Sequence, residues 1–156
     1  MSEEKNKKLT KNILGGSVTV NGQYIKDLSF ENLKAPLIYT MPPIPPKLDL
    51  AVDINATKLQ DDIFEVEFRV TAGAEREGEK IFVIELVYAG IFTIQGIEGS
   101  VLEEVLFIHC PSLLFPFARR IIAETTRDAN FPQLMMDPID FETMYNSRKE
   151  DIKRNN

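Results

Sequence analysis

Between Lys80 and Gly99, KIFVIELVYAGIFTIQGIEG, the residues Phe82, Ile84, Leu86, Tyr88, Phe92 and Ile94 all fall on even positions, with Gly90 the only break in the series. Successive strand residues point to opposite faces, so these side chains share one face, and a face that apolar must be covered. The odd positions hold Ile81, Val83, Glu85, Val87, Ala89, Ile91, Thr93 and Gln95. That second face is partly apolar yet carries a carboxylate, which suits half burial or contact with a partner. The alternation outruns an ordinary strand and predicts a bulge, a bend or a strand junction at Gly90.

The same alternation recurs upstream. In SVTVNGQYIKDLSFEN the apolar residues Val18, Val20, Tyr24, Leu28 and Phe30 are even, and Asp27, Ser29 and Glu31 are odd. Asn21-Gly22 is either a hairpin turn or a bulge within one strand. KLDLAVDINATKL sets Leu48, Leu50, Val52, Ile54 and Ala56 against Asp49, Ala51, Asp53, Asn55 and Thr57. After a turn at Gln60-Asp61-Asp62, Phe64, Val66, Phe68 and Val70 alternate with Glu65, Glu67, Arg69 and Thr71. Four such strands with short connections predict an antiparallel sheet with one apolar and one polar face. The polar face is expected to display Asp27, Glu31, Asp49, Asp53, Glu65, Glu67 and Glu85, with Arg69 as its main cation.

Between the first two of these strands, APLIYTMPPIPP holds five of the nine prolines and can be neither helix nor central strand. It reads as a stiff connector studded with Leu37, Ile38, Tyr39, Met41 and Ile44. Helical spacing begins after Gly96. Ser100 and Glu103 fit a capping box for a helix ending at Cys110-Pro111, and a second helix runs through SLLFPFARRIIAETTRDAN, its stripe including Leu114, Phe117, Ala118, Ile121 and Ile122. A proline-bearing loop with Phe131, Leu134, Met135, Met136 and Ile139 follows. A last helix from Asp137-Pro138 places Phe141, Met144, Tyr145, Arg148 and Ile152 on one side. Strands first and helices after predict an α+β domain, a four-stranded antiparallel sheet with helices packed on one face. Residues 1–16 read as a mobile arm, 17–146 as the domain and 147–156 as a tail.

The chain has 156 residues and 44% hydrophobic content, enough for one globular domain with a real core. No apolar run approaches membrane-spanning length, no signal peptide is expected, and the single cysteine, Cys110, suits a reducing, cytoplasmic compartment. Residues 1–12 and 147–156 are each +2, so a chain of net charge −6 carries −10 between them. A body that acidic repels phosphate backbones and favours a basic protein partner over nucleic acid. No catalytic centre is expected. His109 and Cys110 are adjacent but point about 100 degrees apart on a helix. One histidine and one cysteine supply no zinc set, Gly90, Gly96 and Gly99 lack phosphate-loop spacing, and the carboxylates are spread rather than converging. Neither metal nor cofactor is therefore expected.

From Lys26 to Tyr145 the chain resembles the SecB family of bacterial protein-export chaperones. The resemblance rests on KDLSFE (26–31), KLDL (47–50), DDIFEVEFRVT (61–71), AGIFTIQGIEG (89–99), CPSLLFPFARR (110–120) and FPQL (131–134). It implies a homotetramer, a dimer of dimers with long helices between two sheet layers. It further implies a non-enzymatic cytoplasmic role in protein transport along the Sec pathway: holding unfolded preproteins and delivering them to the SecA motor, without inserting into the membrane. By the same resemblance Asp27, Glu31, Val83 and Glu85 match positions that contact SecA. The family's client groove, between sheet and loop elements, implies Met41, Ile44, Leu48, Leu50, Phe92, Phe131, Leu134, Met135, Met136 and Tyr145 as client-binding candidates. Phe82, Ile84, Leu86 and Tyr88 are expected to form the core or oligomer face. The alternatives are a small-ligand-binding α+β domain and a specialised SecB-like chaperone of a toxin-antitoxin system.

Overall fold

The computed structural model describes residues 10–13 and 15–155. Four long strands, β2 (Gly16–Asn32), β3 (Lys47–Gln60), β4 (Ile63–Arg76) and β5 (Glu79–Gln95), form an antiparallel sheet, and a short β1 (Thr10–Ile13) extends it in the order β1-β2-β5-β4-β3. Residues 10–13, read as part of an arm, thus pair with Gly16–Thr19, and the rest of the arm before Thr10 lies outside the described residues.

Strand β5 runs unbroken through Gly90, which pairs with Gln23 on one side and Val66 on the other. The glycine serves close packing instead of a bend: a Cβ there would lie 2.8 Å from the Phe92 ring and 3.1 Å from Leu114 Cδ2. The even residues of β4 and β5 form the covered face, with Val66, Phe68, Ile84 and Phe92 fully buried.

Asn21-Gly22 is a bulge, not a hairpin. Strand β2 shifts register against β5 between Val20 and Gly22 and again between Ile25 and Asp27. The first shift turns Tyr24, expected inside, to the outer face. The second restores the original parity, so Leu28 and Phe30 face the helices and Asp27 and Glu31 face out.

The two helices expected on either side of Cys110-Pro111 are one helix, α1 (Gly99–Asp128). Regular segments Gly99–Glu104 and Cys110–Asp128 flank a π turn, Val105–His109. Pro111 has no N–H to donate and its ring would crowd the carbonyl one turn back; a widened turn just before it relieves that conflict without ending the helix. The capping box on Ser100 does not form: the cap position is Glu98, without a side-chain cap bond, and Glu103 instead accepts from the Tyr145 hydroxyl at 2.8 Å. Helix α1 is 30 residues long with a window of mean hydropathy 1.5, so by length and composition it could span a membrane, contrary to the sequence reading. Here it lies on the sheet, burying Leu114, Ala118 and Ile122, while only 33% of that window is buried within the chain.

The last helix, α2 (Phe141–Arg154), starts three residues later than the sequence suggests. Asp140 caps it by accepting from the Thr143 N–H at 3.1 Å and hydroxyl at 2.8 Å. The helix continues through the segment read as a tail. Phe141 closes the core in edge-to-face contact with Phe68 and Phe115.

Candidate functional site

Two surfaces stand out, one apolar and one acidic, on opposite faces of the sheet. The apolar one begins where β2 ends. The Leu33 N–H donates to Ile81 O at 2.9 Å, the chain makes a 3-10 turn at Leu37–Thr40, and Pro42–Pro46 then run extended into β3. Tyr39 ties this connector to the body: its hydroxyl accepts from Asn32 Nδ2 at 2.7 Å and donates to Ala129 O at 2.5 Å, and its ring lies 5.9 Å from Phe131. Phe131 in turn packs on Phe82 at 4.9 Å.

Between the connector and the Asn130–Pro132 segment lies an open groove of roughly 650 Å³. Met41, Ile44, Leu48 and Phe131, all expected there, line it; Ile38, Tyr39, Ile81 and Arg76 do so as well. Met41, Ile44 and Leu48 are each about half exposed, at 52%, 48% and 55%. Exposed side chains of this kind on a proline-stiffened wall leave apolar surface available to an incoming chain. Leu50, next along the same face of β3, is also exposed.

The remaining candidates do not line the groove. Phe92, Leu134, Met136 and Tyr145 are buried in the core. Leu134 is drawn in because its N–H donates to Thr126 Oγ1 at 3.0 Å, the hydroxyl itself donating back into α1. Tyr145 stacks on Phe107 at 5.9 Å and bonds Glu103; burial first, and that bond second, push its hydroxyl up to about 12. Met135 is exposed but is not among the residues that line the groove. Phe82, Ile84, Leu86 and Tyr88 are core residues of the single chain. Arg76 carries no pattern in the sequence that would have placed it here.

On the outer face, β2 and β5 bring Asp27, Glu31, Val83 and Glu85 together. Asp27 pairs with Val87, Ser29 with Glu85 and Glu31 with Val83, so the four positions fall on three alternate rungs, all facing the same way, of two adjacent strands. Asp27, Glu31 and Glu85 are exposed and Val83 is half-buried. None of the three carboxylates has a charged partner among the described residues.

Glu65 and Glu67, expected on display beside them, are instead buried beneath Tyr24 and Lys26. Lys26 Nζ lies 2.9 Å from Glu65 Oε1 and 2.9 Å from Glu67 Oε1, Arg69 Nη2 lies 2.7 Å from Glu67 Oε2, and Tyr24 donates to Glu65. The hydrogen bond from Lys26, helped by Arg69, holds the Glu67 carboxyl below its ordinary range against the effect of burial. Burial and the Glu65 carboxylate push the Tyr24 hydroxyl up to about 12. The two cations are thus spent on the buried pair, and the exposed charge of the patch stays negative.

Cys110 is buried, and burial alone pushes its thiol up to about 12, so it remains protonated near neutral pH and supplies no nucleophile. Among the described residues no group of three or more histidine, cysteine or carboxylate side chains is placed to hold a metal ion.

Residues 12–152 match the family model described as preprotein translocase subunit SecB. A protein-export protein SecB of Xanthobacter autotrophicus is 45% identical over 134 residues, covering 86% of this chain and 86% of the relative. That of Rickettsia typhi is 48% identical over 132 residues, covering 84% and 87%. That of Caulobacter vibrioides is 43% identical, covering 85% and 81%. Among solved structures, a Mycobacterium tuberculosis SecB-like chaperone in complex with a peptide from an antitoxin superposes with a TM-score of 0.62 at 12% identity, covering 78% of this chain and 90% of that one, a likeness of fold alone.

Proposed function

The chain belongs to the SecB family, and on that premise we propose that it is a cytoplasmic chaperone of the Sec pathway that holds non-native secretory precursors unfolded and delivers them to SecA. The observation that carries this reading is the division of labour between the faces. A stiff-walled groove lined by Met41, Ile44, Leu48 and Phe131 lies toward the helix side, and unpaired carboxylates at Asp27, Glu31 and Glu85 lie on the other. Methionine and aromatic side chains repack around many sequences, as a holder of varied unfolded chains requires. An acidic patch set apart from them can recruit a basic partner without competing for the client.

The assembly is a homotetramer in this reading. Ile25 and Leu28 on β2 and Phe117 on α1 remain exposed, and two-thirds of the apolar window of α1 is left unburied by its own chain. Surface of that kind is suited to burial against further copies.

The decisive experiment is suppression of aggregation of an unfolded, reduced precursor by the purified protein, run beside the same precursor in its native form. Binding of the unfolded chain alone supports the reading; failure to suppress aggregation at any ratio overturns it.

A further inference from the structure

The even residues of β4 face the helices, and Val66, Phe68, Val70, Ala72 and Ala74 are all buried there. Arg76, the last residue of the strand, stands on the same side by alternation and is the one charge in that series. Its mount is stiff. Arg76 pairs with Glu79 across Glu77 and Gly78, whose φ angles of 54° and 80° make a tight hairpin turn of the kind that matches strand twist. The side chain is half-buried and lines the groove, in which no other charged residue takes part. With Ile38, Met41 and Ile81 it also lines an adjoining cleft of roughly 470 Å³ that holds Leu33 and Leu37, so Arg76 stands where two apolar hollows meet. That cleft brings Lys34, Glu77 and Glu79 near it. Glu79, however, is held by Lys34 at 2.9 Å, and Arg76 has no charged partner within ion-pair distance among the described residues.

We propose that Arg76 selects among the groove's clients, favouring unfolded segments in which an aspartate or glutamate flanks an apolar stretch. This rests on the chaperone reading and specifies which chains the groove prefers. A client laid over the groove strips water from the guanidinium. A carboxylate at that point offsets the loss with paired N–H···O bonds in one plane, a neutral flank leaves the donors unsatisfied, and a lysine sets like charges side by side. Apolar walls lower the local dielectric, so the pair counts for more there than in open water. Met41, Ile44, Leu48 and Phe131 give affinity for almost any unfolded chain, and the one cation among them adds discrimination that apolar contact lacks. The acidity of the rest of the body does not cancel this, because its charges lie outside the groove and are screened by solvent.

The test uses labelled peptides that share one apolar stretch and differ only in its flanks, which are Glu, Gln or Lys on both sides, so that sliding in the groove does not matter. Fluorescence anisotropy gives the ratio of affinities for the Glu and Gln peptides with the full chain and with three variants. Arg76→Gln removes the cation, Arg76→Lys keeps the charge without the planar fork, and Lys58→Gln removes one positive charge at the opposite end of β3. The ratio should fall roughly three- to tenfold in Arg76→Gln, fall less in Arg76→Lys and stay at the wild-type value in Lys58→Gln. The Lys peptide should bind wild type most weakly of the set. Equal ratios in wild type and Arg76→Gln overturn the proposal, and so does an equal fall in Lys58→Gln, which would reduce the effect to net charge. A wild type that captures an unfolded precursor yet binds none of the peptides overturns it too. Failure to capture either would sink the chaperone reading along with it.

Discussion

The hydroxyl of Tyr39 bridges the side chain of Asn32 and the main-chain carbonyl of Ala129, joining the proline connector to the end of α1 across the groove. The other main-chain hydrogen bonds within the connector are local, such as Ile38 N–H to Lys34 O, so this side chain fixes the width of the site. Replacing Tyr39 with Phe keeps the ring on Phe131 and removes both bonds. The expected loss is about 1–2 kcal/mol of stability, with faster amide exchange at Ile38 and Met41. Urea midpoints and exchange rates equal to wild type would show that the hydroxyl does not hold the wall.

The acidic face predicts a separable defect. Glu85→Lys, and Asp27→Lys as a second variant, should lower affinity for SecA roughly tenfold at low salt while leaving client capture intact, because the groove uses other residues. Wild-type affinity should itself fall as salt rises. Titration calorimetry beside an aggregation assay distinguishes the cases: equal loss of both activities means damage to the fold, and unchanged SecA binding removes the face from the mechanism.

Ile84 has no exposed surface in the single chain. Ile84→Asp therefore puts an unpaired charge into the core of the protomer itself, at an expected cost of about 4 kcal/mol. Light scattering and denaturation read together should show instability accompanying any loss of assembly. A native-like melting curve with a smaller mass would instead place Ile84 at a contact between copies.

Acid should act through Glu67. Its folded-state pKa lies below the reference value of 4.5, so the stabilisation from its bonds to Lys26 and Arg69 is fully present above about 4.5 and is lost as pH falls through the lower, folded value. Glu67→Gln should be less stable than wild type at neutral pH and show a shallower decline below about 4.5. Urea midpoints from pH 7 to pH 3 that run parallel for the two proteins would rule this carboxylate out as a source of acid sensitivity.

The strand faces were legible because alternation is a local property, and Phe64 to Val70 or Phe82 to Tyr88 can be assigned without knowing what covers them. The acidic patch at Asp27, Glu31 and Glu85 followed from the same parity. Tyr24 escaped because a bulge changes the count without changing composition. Gly90 escaped because its reason, the approach of Leu114, lies on another element. The continuity of α1 was hidden by Pro111, whose effect depends on whether the preceding turn can widen. Groove and core residues of the Phe131–Met136 loop share one composition, and the bond from Leu134 to Thr126, eight residues away, decides which of them go inside.

The connector wall has one further property. Of the five residues Pro42–Pro46, four are prolines, so the wall offers a single backbone N–H, at Ile44. A client lying against it meets side chains and lone carbonyls but no donor ladder, and cannot be zipped in from that side. Whatever main-chain pairing it makes is confined to one flank, and the opposite flank can let go without a sheet having to be unpicked. Such a wall favours short dwell times over irreversible co-assembly, the difference between carrying an unfolded chain and seeding a fibre with it.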